Sequence, residues 1–129
     1  MQRRILVIDN DDDIRLAVCD RLAAIGFEAT GENSGISGLT RLAREAPRAP
    51  FAGVLLELDM PVLGGMAVLQ ELLDRYPSMP VIAMSHSTLI DRLRQAVWLG
   101  AREYLVKPFD AELLRTKCLL VFDGKGGAT

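Results

Sequence analysis

The sequence predicts a three-layer, doubly wound α/β fold in which a parallel sheet of five strands lies between two layers of helices. Five short apolar runs alternate along the 129 residues with five segments of helical periodicity. The connections are short, and right-handed crossovers through helices join parallel strands in that way. Several of the runs are continuously apolar, which is typical of strands covered on both faces.

The first strand and helix are marked by an apolar run that leads into a cluster of acids. Residues 4–9 end in Asp9 and predict the first strand. Acids at 11–13 favour a helix that begins there, because they interact well with the positive end of its dipole, and Gly26 ends it. The apolar residues of this helix follow the spacing of one helical face: Ile14, Val18, Leu22 and Ile25.

The middle of the chain repeats the pattern twice. A strand is predicted over 27–30, followed by a glycine-rich entry to a helix that runs to about Glu45. The third strand is predicted over 51–58, and the loop 59–65 contains the proline and glycines of turns. The next helix carries an apolar stripe and closes before Pro77; the stripe is Met66, Leu69, Leu72, Leu73 and Tyr76.

The last part of the chain supplies two more strands and two more helices. Strands are predicted over 81–84 and 102–106, and the final helix from about 110 to 122. The helix between these strands ends at Gly100. Its stripe of Leu89, Leu93 and Val97 is expected to pack together with Trp98, whereas Asp91, Arg92 and Arg94 are expected to form a solvated face.

Composition limits the classes of function. Half of the residues are apolar, which suits one domain, expected over 1–123, with a flexible tail or the start of a linker at 124–129. A net charge of −2 and an isoelectric point of about 5.4 argue against direct nucleic-acid binding. No apolar run approaches the roughly 18 residues of a membrane span, so we expect no membrane contact and a cytoplasmic location.

Polar residues stand at the ends of four predicted strands. They are Asp9 with Asn10 and Asp11, Glu57 with Asp59, Ser85, and Lys107. In parallel sheets such ends meet at one edge, next to the point where the strand order reverses. Carboxylates suit a hard cation, and a hydroxyl with an ammonium suits phosphoryl oxygens, so the set indicates phosphoryl chemistry.

At these residues the sequence resembles the receiver domain of bacterial response regulators, whose fold is flavodoxin-like. The resemblance covers nearly the whole chain, and its order and spacing are specific. It is carried by Ile5 to Asp9 with the acids that follow, Leu55-Leu-Glu-Leu-Asp-Met-Pro61 with Gly65, Val81 to Ser85, and Gly100 to Phe109.

The resemblance implies a role for each matching position. Asp9 corresponds to the first acid of a Mg²⁺ pair, Ser85 to the switch hydroxyl, and Lys107 to the counter-ion of the phosphoryl group. Tyr104 corresponds to the aromatic residue that moves with the switch. The family usually has a cis bond at Lys107-Pro108.

Two departures from the family pattern fall within the site. Asn10 stands where the second metal-binding acid is expected, and Glu57 stands at the phosphoacceptor position, which is normally Asp. Asp59 lies at a position that normally lends only its backbone carbonyl to the metal. We therefore predict Mg²⁺ sites at Asp9, Asn10, Glu57 and Asp59, with weak binding.

Glu57 has three interpretations. It can block phosphorylation and, by reaching toward Lys107 and Ser85, partly imitate the phosphorylated state. It can form a plain ion pair with Lys107, or it can remain an acceptor in a Mg²⁺-dependent receiver.

The leading interpretation is a signalling module that is not an enzyme. Its expected partners are a sensor histidine kinase or a downstream effector protein, with a possible homodimer through the fourth helix, fifth strand and fifth helix. A haloacid-dehalogenase-like phosphotransferase is the rival, because Asp9-x-Asp11, Ser85 and Lys107 follow that family's order of motifs, although Asp110 alone does not supply its last acidic pair. A flavodoxin-like FMN carrier has the same architecture, but this chain lacks the hydroxyl- and glycine-rich phosphate loop that such a carrier needs after its first strand.

Overall fold

A computed structural model describes residues 2–123 and confirms the predicted fold. Its five strands form one parallel sheet in the order β2-β1-β3-β4-β5, the flavodoxin-like order. The strands are β1 (Arg4–Ile8), β2 (Glu28–Glu32), β3 (Gly53–Glu57), β4 (Val81–His86) and β5 (Glu103–Lys107). The helices are α1 (Asp12–Ala24), α2 (Gly35–Glu45), α3 (Gly65–Arg75), α4 (Ile90–Leu99) and α5 (Ala111–Cys118). The tail predicted at 124–129 lies outside the described residues.

Three of the helices begin at side-chain caps that the sequence supplies. The carboxylate of Asp11 accepts the Ile14 N–H at 3.0 Å before α1, and Asp110 accepts the Leu113 N–H at 2.8 Å before α5. Ser34 caps α2 in the same way, through the N–H of Ser37. Such caps satisfy backbone donors that the first turn of a helix leaves unpaired, so these starts are fixed locally.

The strand ends differ by a few residues from those predicted. The β4–β5 ladder pairs Ser85 with Val106 and His86 with Lys107, so both strands run further than the apolar runs that predict them. Ser85 and Lys107 therefore lie within strands rather than after them. Their side chains take up the alternation of the sheet, which places them more rigidly than loop residues would be placed.

Apolar side chains fill the space between the sheet and each helical layer. One layer joins β1, β3 and β4 to α2, α3 and α4, and its most buried members include Leu6, Ile8, Leu56, Leu69, Leu72 and Leu93. The other joins the opposite face to α1 and α5, and includes Ile5, Val18, Leu22, Leu55, Met84 and Leu114. The two cysteines are free; Cys118 is buried, and desolvation raises the pKa of its thiol to about 12.

The last turn of the described chain belongs to this second layer. After α5 the helix widens into a π-helical turn at Leu119–Asp123. Phe122 packs over Gly53 so closely that a Cβ at residue 53 would lie 2.2 Å from the ring. The Phe122 ring also meets Phe27 edge to face, with centroids 6.1 Å apart. Because Gly53 has no side chain, the Phe122 ring can pack directly against its backbone.

The β3–α3 loop carries the site and is held by a close backbone approach. The Gly65 N–H donates to the Leu58 carbonyl at 3.2 Å, and a Cβ at residue 65 would lie 2.3 Å from the Leu58 Cα. Glycine is therefore required at the start of α3. Val62, in the same loop, has a φ of 63° and is 99% exposed.

The packing predicted for α4 is only partly right. Leu93 and Ala96 are fully buried, but Val97 is 38% exposed and Trp98 84% exposed. Trp98 therefore does not pack in the core. Within residues 2–123 no helix is long and apolar enough to span a membrane.

Candidate functional site

Four polar side chains are buried together at the carboxyl edge of the sheet. Each of the four is at most 5% exposed. In chain order they lie directly after β1, in β3, in β4 and in β5: Asp9, Glu57, Ser85 and Lys107. Buried charges are costly unless they are paired, so their arrangement is a question of partners. The structure brings together the residues that the sequence predicts at this edge.

The Lys107 ammonium lies between two carboxylates. Its Nζ donates to Asp9 Oδ2 at 2.7 Å and also to Glu57 Oε1. Desolvation opposes its charge, but the hydrogen bonds to Asp9 and Glu57 outweigh burial and raise the pKa of Lys107. The ammonium therefore stays protonated. The peptide bond to Pro108 is cis, which confirms the prediction from the resemblance.

Glu57 uses both of its oxygens within the chain. Oε1 accepts from Lys107, and Oε2 accepts the Asp59 backbone N–H at 2.8 Å. Desolvation raises the pKa of Glu57, although the bonds from Lys107 and Asp59 oppose that shift. Because two carboxylates share one ammonium, the buried group of Asp9, Glu57 and Lys107 carries one negative charge in excess when all three are ionised.

The Ser85 hydroxyl points to a different carboxylate from the one predicted. Its Oγ donates to Asp59 Oδ2 at 2.7 Å, and no hydrogen bond between Ser85 and Glu57 is formed among the described residues. The prediction that Glu57 reaches toward both Lys107 and Ser85 is therefore right for Lys107 only. Asp59, expected to act through its backbone, instead presents its side chain to the switch position.

Asp59 also holds an arginine of α4. Its Oδ1 accepts Arg92 Nη1 at 2.7 Å, and Oδ2 additionally lies 3.4 Å from the His86 backbone nitrogen. Desolvation raises the pKa of the Asp59 carboxyl, but the bonds, first from Ser85, outweigh it and the net shift is downward. Arg92, predicted as part of a solvated face, thus belongs to the site. No signal in the sequence distinguishes it from Arg94.

The residues predicted to bind Mg²⁺ do not fit the ion as they are arranged here. Asp9, Glu57 and Asp59 already accept hydrogen bonds on both carboxylate oxygens, since Asp9 Oδ1 takes the Asp11 N–H at 2.9 Å, and Asn10 is exposed. Across residues 2–123 no group of three or more His, Cys, Asp or Glu side chains is placed to hold a metal. Weak Mg²⁺ binding stays a prediction.

Tyr104, predicted as the switch aromatic, is held from α5. The Lys117 ammonium lies 4.3 Å from the centroid of the Tyr104 ring and donates to the Tyr104 carbonyl, and at 3.1 Å to the Glu103 carboxylate. The ring is partly buried against the layer that contains α4. A cation over an aromatic face stabilises it modestly, so Lys117 favours the present position of the ring.

Comparison with known proteins agrees with this geometry. A family model described as the response regulator receiver domain matches residues 5–119. Response regulator protein FleR of Pseudomonas aeruginosa is 36% identical over 114 residues, which are 88% of this chain and 23% of that protein. DNA-binding transcriptional regulator NtrC of Escherichia coli K12 is 35% identical over 113 residues, 87% of this chain and 23% of that protein. The chain spans about a quarter of the length of these curated relatives.

Solved structures show the same fold. A response regulator receiver domain protein of Clostridium thermocellum has a TM-score of 0.85 and 31% identity, with 95% of this chain and 96% of that chain covered. NtrX of Brucella abortus in complex with ADP has a TM-score of 0.86 and 30% identity, with 96% of this chain and 28% of that chain covered.

Proposed function

Because the chain belongs to the family of response regulator receiver domains, which act in two-component signal transduction, we propose that it is a receiver with a degenerate phosphorylation site. In this proposal Glu57 replaces the acceptor aspartate, and the output is a protein surface rather than a reaction product. The dehalogenase-like phosphotransferase and the flavin carrier are given up, since the family match covers residues 5–119.

The contact between Glu57 and Lys107 carries the proposal. In a working site the lysine is the counter-ion of the incoming phosphoryl group, but here its ammonium is already taken by Glu57 and Asp9. Glutamate also carries its carboxylate about 1.5 Å further from the backbone than aspartate does. A displacement of ~1 Å at a reacting centre can cost ~100-fold in rate, so transfer to Glu57 is expected to be very slow.

The same contact supports a limited imitation of the phosphorylated state. Glu57 brings one negative charge to Lys107, whereas a phosphate group carries about −1.5 to −2. Glu57 forms the contact with Lys107, but the Ser85 hydroxyl donates its hydrogen bond to Asp59 instead. Partial activation through Lys107 is therefore the most that Glu57 supplies by itself.

The partners are proposed at the level of the family. A sensor histidine kinase or a downstream effector protein is the proposed partner, in the cytoplasm, and a homodimer through α4, β5 and α5 is a further possibility to test. The matched relatives are regulators about four times as long as this chain, and one of them is named as DNA-binding. With a net charge of −2, we do not assign DNA contact to this domain.

We expect no phosphoryl adduct when the protein is incubated with acetyl phosphate or phosphoramidate and Mg²⁺. The reason is that Glu57 is misplaced for attack and its counter-ion is occupied. Intact-mass measurement at neutral pH checks this, because an adduct adds one phosphoryl group to the mass.

The matched control restores the family pattern at both departures. The Glu57→Asp, Asn10→Asp double variant is expected to gain an adduct under the same conditions, which shows that the assay detects one. An adduct on the unaltered protein, mapped to Glu57 or Asp59, overturns the proposal.

Mg²⁺ is expected to bind more weakly to the unaltered protein than to the Asn10→Asp variant. A carboxylate at residue 10 adds a charged oxygen ligand of the kind Mg²⁺ prefers, whereas Asn10 is neutral. Calorimetric titration of both proteins measures the two affinities. Equal affinities contradict a role for residue 10 in the metal site.

A further inference from the structure

The carboxylate of Asp59 connects three separate parts of the chain. It leaves the β3–α3 loop, meets the end of β4 at Ser85 and His86, and meets the first turn of α4 at Arg92. Its side chain is 16% exposed and that of Arg92 is 43% exposed. Bonds to charged groups are stronger than neutral ones, and the partial burial of Asp59 limits the screening of this pair by water.

The start of α4 packs on the core through Leu93 but has no side-chain cap. Its N-cap residue is Leu89, which makes no side-chain cap, and a 3₁₀ turn at Ser87–Leu89 links it to β4. Asp11, Ser34 and Asp110 cap the starts of α1, α2 and α5. The Arg92 bond to Asp59 is therefore a principal polar contact that ties the first turn of α4 to the sheet edge.

The donors around Asp59 are of the kind that bind an oxyanion. A hydroxyl, a backbone N–H and a guanidinium all face one carboxylate, while Lys107 faces Glu57 and Asp9. Two carboxylates thus divide between them the lysine and hydroxyl contacts that a single phosphoryl group on residue 57 would make.

We propose that Asp59 is a positioning residue whose side chain acts as a built-in anion, holding Ser85 and, through Arg92, the start of α4. The inference rests on the proposed function, and it assigns control of the α4 surface to Asp59 rather than to Glu57. The position of α4 is then set by an Asp59–Arg92 clasp that needs no phosphorylation.

The test is a double-mutant cycle of Asp59→Asn, Arg92→Gln and the double variant, with amide hydrogen exchange as the readout. Loss of the clasp is expected to speed amide exchange in the first turns of α4 about threefold to tenfold. This increase lies between that expected from losing an exposed ion pair and that expected from losing a charge-assisted hydrogen bond. The double variant is expected to match Asp59→Asn alone, because once the Asp59 carboxylate is lost Arg92→Gln has no further contact to remove. Exchange in α1, which the clasp does not contact, is expected to stay unchanged.

Arg94→Gln is the matched control. Arg94 lies two residues further along the same helix and pairs only loosely with Asp91, at 3.8 Å, with both side chains at least 75% exposed. The Arg94→Gln substitution removes one positive charge, as Arg92→Gln does, but does not disturb Asp59. It is expected to leave the amide exchange rates of α4 equal, within experimental error, to those of the unaltered protein. The indole N–H resonance of Trp98, the single tryptophan, gives a second readout at the other end of α4.

Additive effects of the two single variants, or an Arg92→Gln effect no larger than that of Arg94→Gln, overturn the inference. If Asp59→Asn reduces the folded population, the Arg92→Gln variant still tests the inference. The Arg92 guanidinium lies near the surface, so its loss leaves the core intact. An adduct on Glu57 would defeat the proposed function without altering this coupling, so the two failures are distinguishable.

Discussion

Val62 adopts a backbone conformation that suits glycine. Its φ of 63° lies in the left-handed region, where β-branched residues are rare, and its side chain is 99% exposed and gains little by packing. The left-handed conformation costs an L-residue roughly 1–2 kcal/mol. The loop that carries Asp59 thus contains local strain.

Replacing Val62 with glycine is expected to stabilise the protein by about 0.5–1 kcal/mol. The relief of strain is partly offset by the greater freedom that glycine has in the unfolded chain. Urea unfolding, followed by circular dichroism, measures the difference. The Val62→Ala variant keeps a Cβ and is expected to gain less stability than Val62→Gly. Equal gains for the two variants would show that the strain comes from the branched side chain rather than from the left-handed backbone.

At the level of residues, sequence reasoning predicts which side chains meet but not how they pair. Asp9, Glu57, Ser85 and Lys107 are placed at one edge by the strand pattern alone, and the structure brings them together. The strand pattern does not predict the partner of Ser85, because Glu57 and Asp59 both follow from the same strand and the choice between them depends on side-chain rotamers. The sequence does not distinguish Arg92, which bonds Asp59, from the exposed Arg94 for the same reason.

A network of five charged side chains connects α2 to the edge of the sheet. Arg4 of β1 bonds Glu45 of α2 at 2.6 Å and Glu28 of β2 at 2.9 Å, and Arg41 bonds Glu45 at 2.8 Å and also Glu32. Hydrogen bonding from Arg4, more than any other effect, lowers the pKa of Glu45. An acid whose pKa is lower in the folded state stabilises that state only while it is ionised.

Glu45→Gln is therefore expected to destabilise the protein at pH 7, with the difference disappearing as the pH falls. The contribution of Glu45 is complete above its ordinary value of 4.5 and is lost as the pH drops through the lower value of the folded state. Urea unfolding between pH 7 and pH 3 measures it. Glu71→Gln, in the exposed Arg75–Glu71 pair, is the control and should change stability little. A pH-independent loss for Glu45→Gln would contradict the argument.

At the level of elements, periodicity predicts all five strands and all five helices, because apolar spacing records which face is buried. It fails at the ends of β4 and β5, where polar residues continue the ladder and hydrogen bonding rather than hydrophobicity decides. It also fails for Trp98, since a large apolar residue beside a buried stripe does not itself reveal that it faces solvent.

The core of the molecule as a whole includes the turn at Leu119–Asp123. Phe122 is 3% exposed and packs on Gly53 and Phe27, from two different strand regions. Phe122→Ala is expected to cost about 3–5 kcal/mol, since it leaves a cavity beside the central strand. Chemical unfolding measures this cost. Leu113→Ala, at a position 40% exposed in α5, serves as control and should cost clearly less; comparable losses would show that Phe122 does not fill the core.

The position of Phe122 has a consequence for the modularity of the domain. The family match ends at residue 119, yet the ring that closes the α1–α5 layer is supplied three residues later. A recombined or transplanted copy cut at the family boundary would leave Gly53 facing an empty groove. We therefore expect a transferable unit to need the residues through at least Phe122, and a fusion joint placed before that residue to weaken the sheet at the end opposite to the switch.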